Sequence, residues 1–127
     1  MKKENLICIL CPNGCELEAE LEDAGGIRVT AVRGALCPRG SRWATLELEH
    51  PVRTVTTSVL CSGGILPLVS VKTDRAIPLG RVRDIMRELS DCRVEAPVFI
   101  GDLIALDPCG IECRVIATRH NPLKELP

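Results

Sequence analysis

The chain has 127 residues, with 46% hydrophobic side chains, 2% aromatics and sixteen basic residues against seventeen acidic ones. That composition excludes global disorder, fits one domain or one domain with a small satellite, and requires a core of Leu, Ile, Val and Ala. Balanced charge and scarce aromatics argue against nucleic-acid binding, and no apolar run is long enough for membrane insertion.

In chain order, Lys2-Lys3 and the apolar run Leu6 to Leu10 faintly imitate an export signal. The run is short, Cys11-Pro12 ends it, and no small-residue cleavage site follows, so a cytoplasmic chain with reduced thiols is expected. A strand is expected over Asn5 to Leu10, followed by a tight loop from Cys11 to Cys15. Glu16 to Leu21 alternates charged and apolar residues, and Asp23 to Gly26 forms a turn. Ile27 to Val32 then returns as the second arm of a hairpin. Gly34 leads into Leu36-Cys37-Pro38-Arg39-Gly40. Ser41 is positioned to cap a helix through Trp43, Leu46 and Leu48 that His50-Pro51 stops.

Beyond Pro51, Arg53 to Cys61 is a β-branched run of period two. Ser62-Gly63-Gly64 turns it, and Ile65 to Val71 returns with Pro67 at an edge or strand start. Leu79 to Asp91 is the clearest helix. Val82, Ile85, Met86 and Leu89 share one face, while Arg81, Arg83, Asp84, Arg87 and Glu88 face water. Short strands follow near Arg93–Glu95, Asp102–Leu106 and Cys113–Thr118. The fold class is α+β with mostly antiparallel strands. Pro51 is the seam between a cysteine-rich, metal-binding subdomain (1–50) and an α+β docking domain (51–127).

Eight cysteines are unusual for a chain of this length, and in a reducing compartment they point to metal or redox chemistry before disulfides. Cys8, Cys11 and Cys15 form a C-x2-C-x3-C run, and Cys37 stands apart. A [4Fe–4S] cluster needs four thiolates, of which one compact loop can supply three. Pro12 and Gly14 shape such a loop, and free backbone N–H groups there can face sulfur. Zinc is the competing ligand, but structural zinc sites usually pair two similar C-x2-C knuckles, and here the division is three plus one. A thiol–disulfide oxidoreductase using Cys8/Cys11 or Cys109/Cys113 is a third reading. Pro12-Asn13-Gly14 opposes the helix that a thioredoxin-type dithiol at Cys8/Cys11 would open.

The other signals are weaker. Cys61 and Cys92 occupy element ends where a thiol packs as a small hydrophobe, while Cys109 and Cys113 are packing thiols or a second metal pair. His50 directly precedes Pro51, His120 stands two residues before Pro122, and both lack a carboxylate at catalytic spacing. Glu16, Glu18, Glu20, Glu22 and Asp23 form a wet strand face or a docking patch. Arg28, Arg33, Arg39 and Arg42 stand near Cys37 in sequence, either as solvated charge or as stabilisers of an anionic cluster. No phosphate-binding loop, dinucleotide fingerprint or nucleophile elbow is present.

Cys8-x-x-Cys11-Pro12-x-Gly14-Cys15, with Gly34-Ala-Leu-Cys37-Pro-Arg39-Gly40, resembles the N-terminal [4Fe–4S] segment of molybdopterin oxidoreductases such as formate dehydrogenase. The resemblance implies cluster ligation by Cys8, Cys11, Cys15 and Cys37. Arg39 falls where that family places a lysine between cluster and pterin, which keeps the charge but not the ability to lose a proton. It covers about the first fifty residues, and the domains that hold molybdenum are missing, so the cluster alone carries over. Over its whole length the chain resembles small bacterial proteins described as having CXXC pairs, a domain of unknown function. The carrying stretches are the cysteine run, Cys37-Pro-Arg-Gly40, Pro51 to Thr57, Val71-Lys-Thr73, Ile77-Pro78, Ala96 to Asp102 and Val115 to Arg119. Such proteins are often encoded beside FAD-dependent dehydrogenases of the glycerol-3-phosphate type. That company implies an accessory electron-transfer subunit partnering a flavin-dependent dehydrogenase rather than an enzyme by itself, the alternative being a structural zinc adaptor.

Overall fold

A computed structural model describes residues 1–125, and the chain divides into two compact units, Met1–Pro51 and one that begins at Val52. The first unit is a three-stranded antiparallel sheet, β1 (Lys2–Ile7), β2 (Glu16–Asp23) and β3 (Ile27–Arg33), in spatial order β1-β2-β3, with helix α1 (Pro38–Glu49) against it. Alternation in β2 buries Leu17, Ala19 and Leu21 and turns Glu18 and Glu20 outward. There Lys3 Nζ lies 3.2 Å from Glu18 Oε1 and Arg33 reaches Glu20 at 3.1 Å, so this acidic stretch is a strand face paired by its own sheet.

Strand β1 starts at Lys2 rather than Asn5, β2 runs on to Asp23, and two further boundaries that bear on the cysteine loop differ from expectation. β1 ends at Ile7, which pairs with Glu16, and the Cys8 N–H donates to the Cys15 carbonyl at 2.9 Å. The last hydrophobic residues of the apolar run, Ile9 and Leu10, therefore belong to the loop. Helix α1 starts three residues before Ser41. Cys37 is the extended N-cap (φ −145°, ψ 158°), and Pro38 follows with a helix-ready φ and no N–H to leave unpaired. Ser41 lies inside the helix, and its carbonyl accepts the Thr45 hydroxyl at 2.9 Å. His50 caps the far end through its N–H to the Leu46 carbonyl at 2.8 Å.

The second unit holds a five-stranded sheet of order β8-β5-β6-β10-β9, made of β5 (Thr56–Ser62), β6 (Leu68–Thr73), β8 (Arg93–Glu95), β9 (Leu103–Leu106) and β10 (Arg114–Ala117). Two short strands, β4 (Val52–Arg53) and β7 (Ile77–Pro78), pair separately. All pairings are antiparallel except β5 with β8, which α2 (Val82–Ser90) connects. The β-branched run from Arg53 divides at Val55. The Thr73 N–H donates to its carbonyl at 2.9 Å and its own N–H donates to Thr73 Oγ1 at 3.0 Å, which turns the chain from one sheet into the other. The helix expected from Leu79 opens as a 3-10 turn over Leu79–Arg81, where Gly80 is a poor α-former, and becomes α-helical at Val82.

Ile85 and Leu89 of α2 pack on Val59, Val69, Val71, Val115 and Ala117, so the aliphatic core is concentrated in this unit. Asn121 is buried beside it. Its side-chain oxygen accepts the Leu66 N–H at 3.0 Å, its amide donates to the Leu66 carbonyl at 2.9 Å, and its main chain exchanges two hydrogen bonds with Val98. Asn121→Ala leaves both Leu66 groups without these partners, and a buried unmet group costs about 1–3 kcal/mol. A loss of about 2–3 kcal/mol is expected in urea denaturation, with a lower midpoint and an unchanged slope.

Candidate functional site

Cys8, Cys11, Cys15 and Cys37 line one cavity of about 140 Å³ in the first unit, together with Arg39 and Gly40. Two chain segments build it. The first is the loop between β1 and β2, closed by the Cys8–Cys15 hydrogen bond and turned at Gly14 with φ +58°. The second leaves β3 through Gly34, whose φ of +94° suits glycine. A Cβ there would fall well inside contact distance of the Glu16 carbonyl oxygen. That backbone approach delivers Cys37 and the first turn of α1 beside the loop. Gly40 is buried and packs close to the cavity, since a Cβ on it would stand 3.6 Å from Cys8 Sγ, in ordinary contact.

The four thiols sit in unlike environments. Cys8 is 6% exposed and shares the unit's small core with Leu17 and Ala44, while the other three are half-buried. The Gly40 N–H at the start of α1 holds the Cys37 thiol below its ordinary pKa, with further lowering from the Arg39 side chain, against an opposing push from burial. Among the described residues no carboxylate lines the cavity. Among the described residues, no three His, Cys, Asp or Glu side chains form a group that could hold a metal ion.

Of the four arginines near Cys37 in sequence, Arg39 lines the cavity. Arg33 pairs with Glu20, Arg28 lies opposite Glu22 on β3, and Arg42 is exposed on α1. The remaining cysteines belong to the second unit. Cys113 is buried in its core, and Cys61, Cys92 and Cys109 are half-buried against it. Burial pushes the Cys92, Cys109 and Cys113 thiols up, with Glu88 adding to the first two and Asp74 to the third. His120 supports a loop, its Nδ1 accepting the Ile100 N–H at 3.1 Å while its ring meets Phe99 edge-on.

One linkage escaped the sequence reading. Cys109 has a left-handed backbone (φ 54°), its N–H donates to Glu88 Oε2 at 2.8 Å, and its carbonyl accepts from Arg81 at 3.0 Å. Helical periodicity placed Glu88 and Arg81 toward water, and nothing local in the sequence signals that a loop twenty residues on would meet them there.

The fold and the cavity together define a two-unit α+β protein with four thiols around one space in its smaller unit. The chain belongs to the family described as "Protein of unknown function (DUF1667)", which matches residues 38–119, so the resemblance to the CXXC-pair family holds. The matched segment begins at Pro38. It takes in α1 and most of the second unit, and the four cavity cysteines precede it. In fold the chain is similar to the NMR structure of Clostridium perfringens protein CPE0013. The two are 19% identical with a TM-score of 0.54, over 60% of this chain and 91% of that one. No curated protein matches. Among the described residues no helix is long and apolar enough to cross a membrane.

The unlike thiol environments predict an order of reactivity. In metal-free, native protein titrated with iodoacetamide from mildly acidic pH upward, Cys37 should alkylate at lower pH than Cys92, Cys109 and Cys113. The buried Cys113 should come last. Peptide mapping by mass spectrometry reads this order, and simultaneous labelling of all four would contradict it.

Proposed function

We propose that this protein is an accessory electron-transfer protein that holds one [4Fe–4S] cluster through Cys8, Cys11, Cys15 and Cys37. It serves a flavin-dependent dehydrogenase of the glycerol-3-phosphate type and is not an enzyme by itself. The observation that carries the reading is the common cavity, lined by four thiols from two separate segments. A single zinc ion bound about 2.3 Å from each sulfur needs all four at one point. The space that the four thiols line measures about 140 Å³. The three-plus-one division of the thiols between those two segments favours a polynuclear group over a lone ion. The flavin-dependent partner is supported by family resemblance alone, and the cytoplasmic setting by the need for reduced thiols.

The donor chemistry fits such a cluster. It consists of four thiols, one arginine and no lining carboxylate, which suits a group whose thiolate ligands are anionic. When bound, the cluster would supply one-electron chemistry. This chain's own residues have definable tasks around it. Cys8, Cys11 and Cys15 offer three thiolates from one loop, and Cys37 offers the fourth. The Gly40 N–H and the Arg39 guanidinium stabilise negative charge on the Cys37 sulfur. Burial of Cys8 beside Leu17 and Ala44 keeps water from that corner.

The small core of the first unit supports a bound metal independently. A domain below about 70 residues rarely gains more than 3–5 kcal/mol from its core and usually needs a staple. Here 51 residues bury only Cys8, Leu17, Ala19, Leu21 and Ala44 among the described hydrophobic side chains.

Protein made anaerobically with ample iron should be brown and carry iron and acid-labile sulfide in equal amounts. Replacing any one of Cys8, Cys11, Cys15 or Cys37 with Ser should lower both several-fold, while Cys61→Ser and Cys92→Ser should leave them unchanged. Colourless protein holding stoichiometric zinc under those conditions would overturn the reading.

A further inference from the structure

The edge strand of an open sheet offers unpaired N–H and C=O groups to any extended chain that reaches it. In this protein most edges carry a guard. β1 has Lys2 and Lys3, and β8 is three residues long with Arg93 and Glu95 exposed. On β3, Glu49 Oε1 accepts the Val29 N–H at 2.8 Å. β9, the other edge of the five-stranded sheet, reads Leu103-Ile-Ala-Leu106, with no charge and no proline. Its register shift against β10 precedes Ala105 and Leu106, which stay paired with Val115 and Arg114. The N–H of the following residue, Asp107, donates inward to the Cys113 carbonyl at 2.9 Å. By the alternation of an antiparallel ladder, Leu106 therefore holds its N–H and C=O toward the open side. Leu103 and Leu106 are 54% and 61% exposed, and Phe99 and Ile100, just before the strand, are exposed as well.

Charge identifies the occupant. Asp102 and Asp107 bracket β9, both are exposed, and neither has an ion pair among the described residues. The strand already seated on β9 shows what complements it. β10 and the two residues after it read Arg114-Val-Ile-Ala-Thr-Arg119, a short β-branched and apolar run between two arginines. It lies antiparallel to β9, with Arg114 opposite Leu106 and the Ala117 N–H donated to the Asp102 carbonyl. An extended segment of the same pattern on the open side would set a cation beside each of Asp102 and Asp107. A second copy fits worse. β9 paired with β9 about a two-fold axis, Leu103 against Leu106, places Asp102 of each chain opposite Asp107 of the other. The same two carboxylates oppose self-pairing and favour a basic partner.

We propose that β9 is the docking edge for an extended segment of a partner protein, a short apolar run between two cationic residues, which joins the five-stranded sheet as a sixth strand antiparallel to β9. Main-chain hydrogen bonds supply the attachment, and Leu103, Leu106 and the two carboxylates supply the selectivity. The site belongs to the second unit and is independent of the four thiols.

The probe is the blocked peptide acetyl-Arg-Val-Ile-Ala-Thr-Arg-amide, titrated to millimolar concentration into the full chain and followed by NMR of the protein's backbone amides. The Leu103–Leu106 amides should shift, and the Leu106 N–H should gain protection from exchange. The same peptide with glutamates in place of its arginines should leave them unmoved. Asp102→Asn combined with Asp107→Asn keeps an oxygen for the Phe99 N–H and suits the left-handed φ of 47° at position 107, yet should weaken binding about fivefold. Leu106→Pro removes the outward N–H and should abolish binding while β5 and β6 keep their protection. The paired Asn substitutions decide alone if the proline variant fails to fold. Unmoved β9 amides with the arginine peptide, equal binding of the glutamate peptide, or unchanged affinity in the Asn variant would overturn the proposal. So would a dimer of the wild-type chain that Leu106→Pro dissolves, because the edge would then serve self-pairing.

Discussion

Everything distinctive about the first unit depends on one close approach of main chain to main chain. Gly34 passes so near the Glu16 carbonyl that a side chain there would collide with it. The strand pairing of β2 with β3 ends at this point, and the chain turns back to set Cys37 at the start of α1. Without that turn, the C-x2-C-x3-C loop would hold three thiols and lack the fourth. With it, a residue far along the sequence joins the loop, and the Gly40 N–H at the helix start lowers the pKa of its thiol. The approach brings little burial of its own. Cys8, Leu17, Ala19, Leu21 and Ala44 are a slight core, since burying one leucine is worth about 1.5–3 kcal/mol. A group bound across the four thiols would join the two segments far more strongly than their packing does.

The second unit rests on different physics. Its sheet and α2 enclose a continuous aliphatic core, and its buried polar groups Thr73 and Asn121 have partners. Its thiols are held toward the protonated form by burial and neighbouring carboxylates, which opposes nucleophilic use. Eight cysteines thus divide by environment. Four surround a space, and four pack against or within a core.

Some of this is legible from residues alone. Period-two alternation identifies β2 and its wet acidic face, and the spacing of Val82, Ile85 and Leu89 identifies α2, because both patterns record which side meets the core. The three-plus-one cysteine spacing anticipates a shared site because a loop and a remote residue must combine to surround one group. Ser41 misleads because a strong capping residue competes with Pro38, and proline's fixed φ starts the helix earlier. Glu88 with Cys109, and Asn121 with Leu66, are contacts between segments distant in sequence. Neither leaves a local trace, since hydrogen-bond partners across a fold are set by topology. The exposure of Ile9 and Leu36 is hidden for the opposite reason. A sequence pattern that equates apolar with buried assigns them to a strand and a helix approach, where the structure leaves them in water.

The central claim is that a metal cluster across four thiols holds the first unit together. Amide hydrogen exchange on anaerobic, iron-loaded protein, repeated after the iron is removed by chelation, measures that directly. The account predicts that protection in β1, β2, β3 and α1 collapses on iron removal, while α2 and the five-stranded sheet keep theirs. Unchanged protection across the first unit after the metal has gone would contradict it.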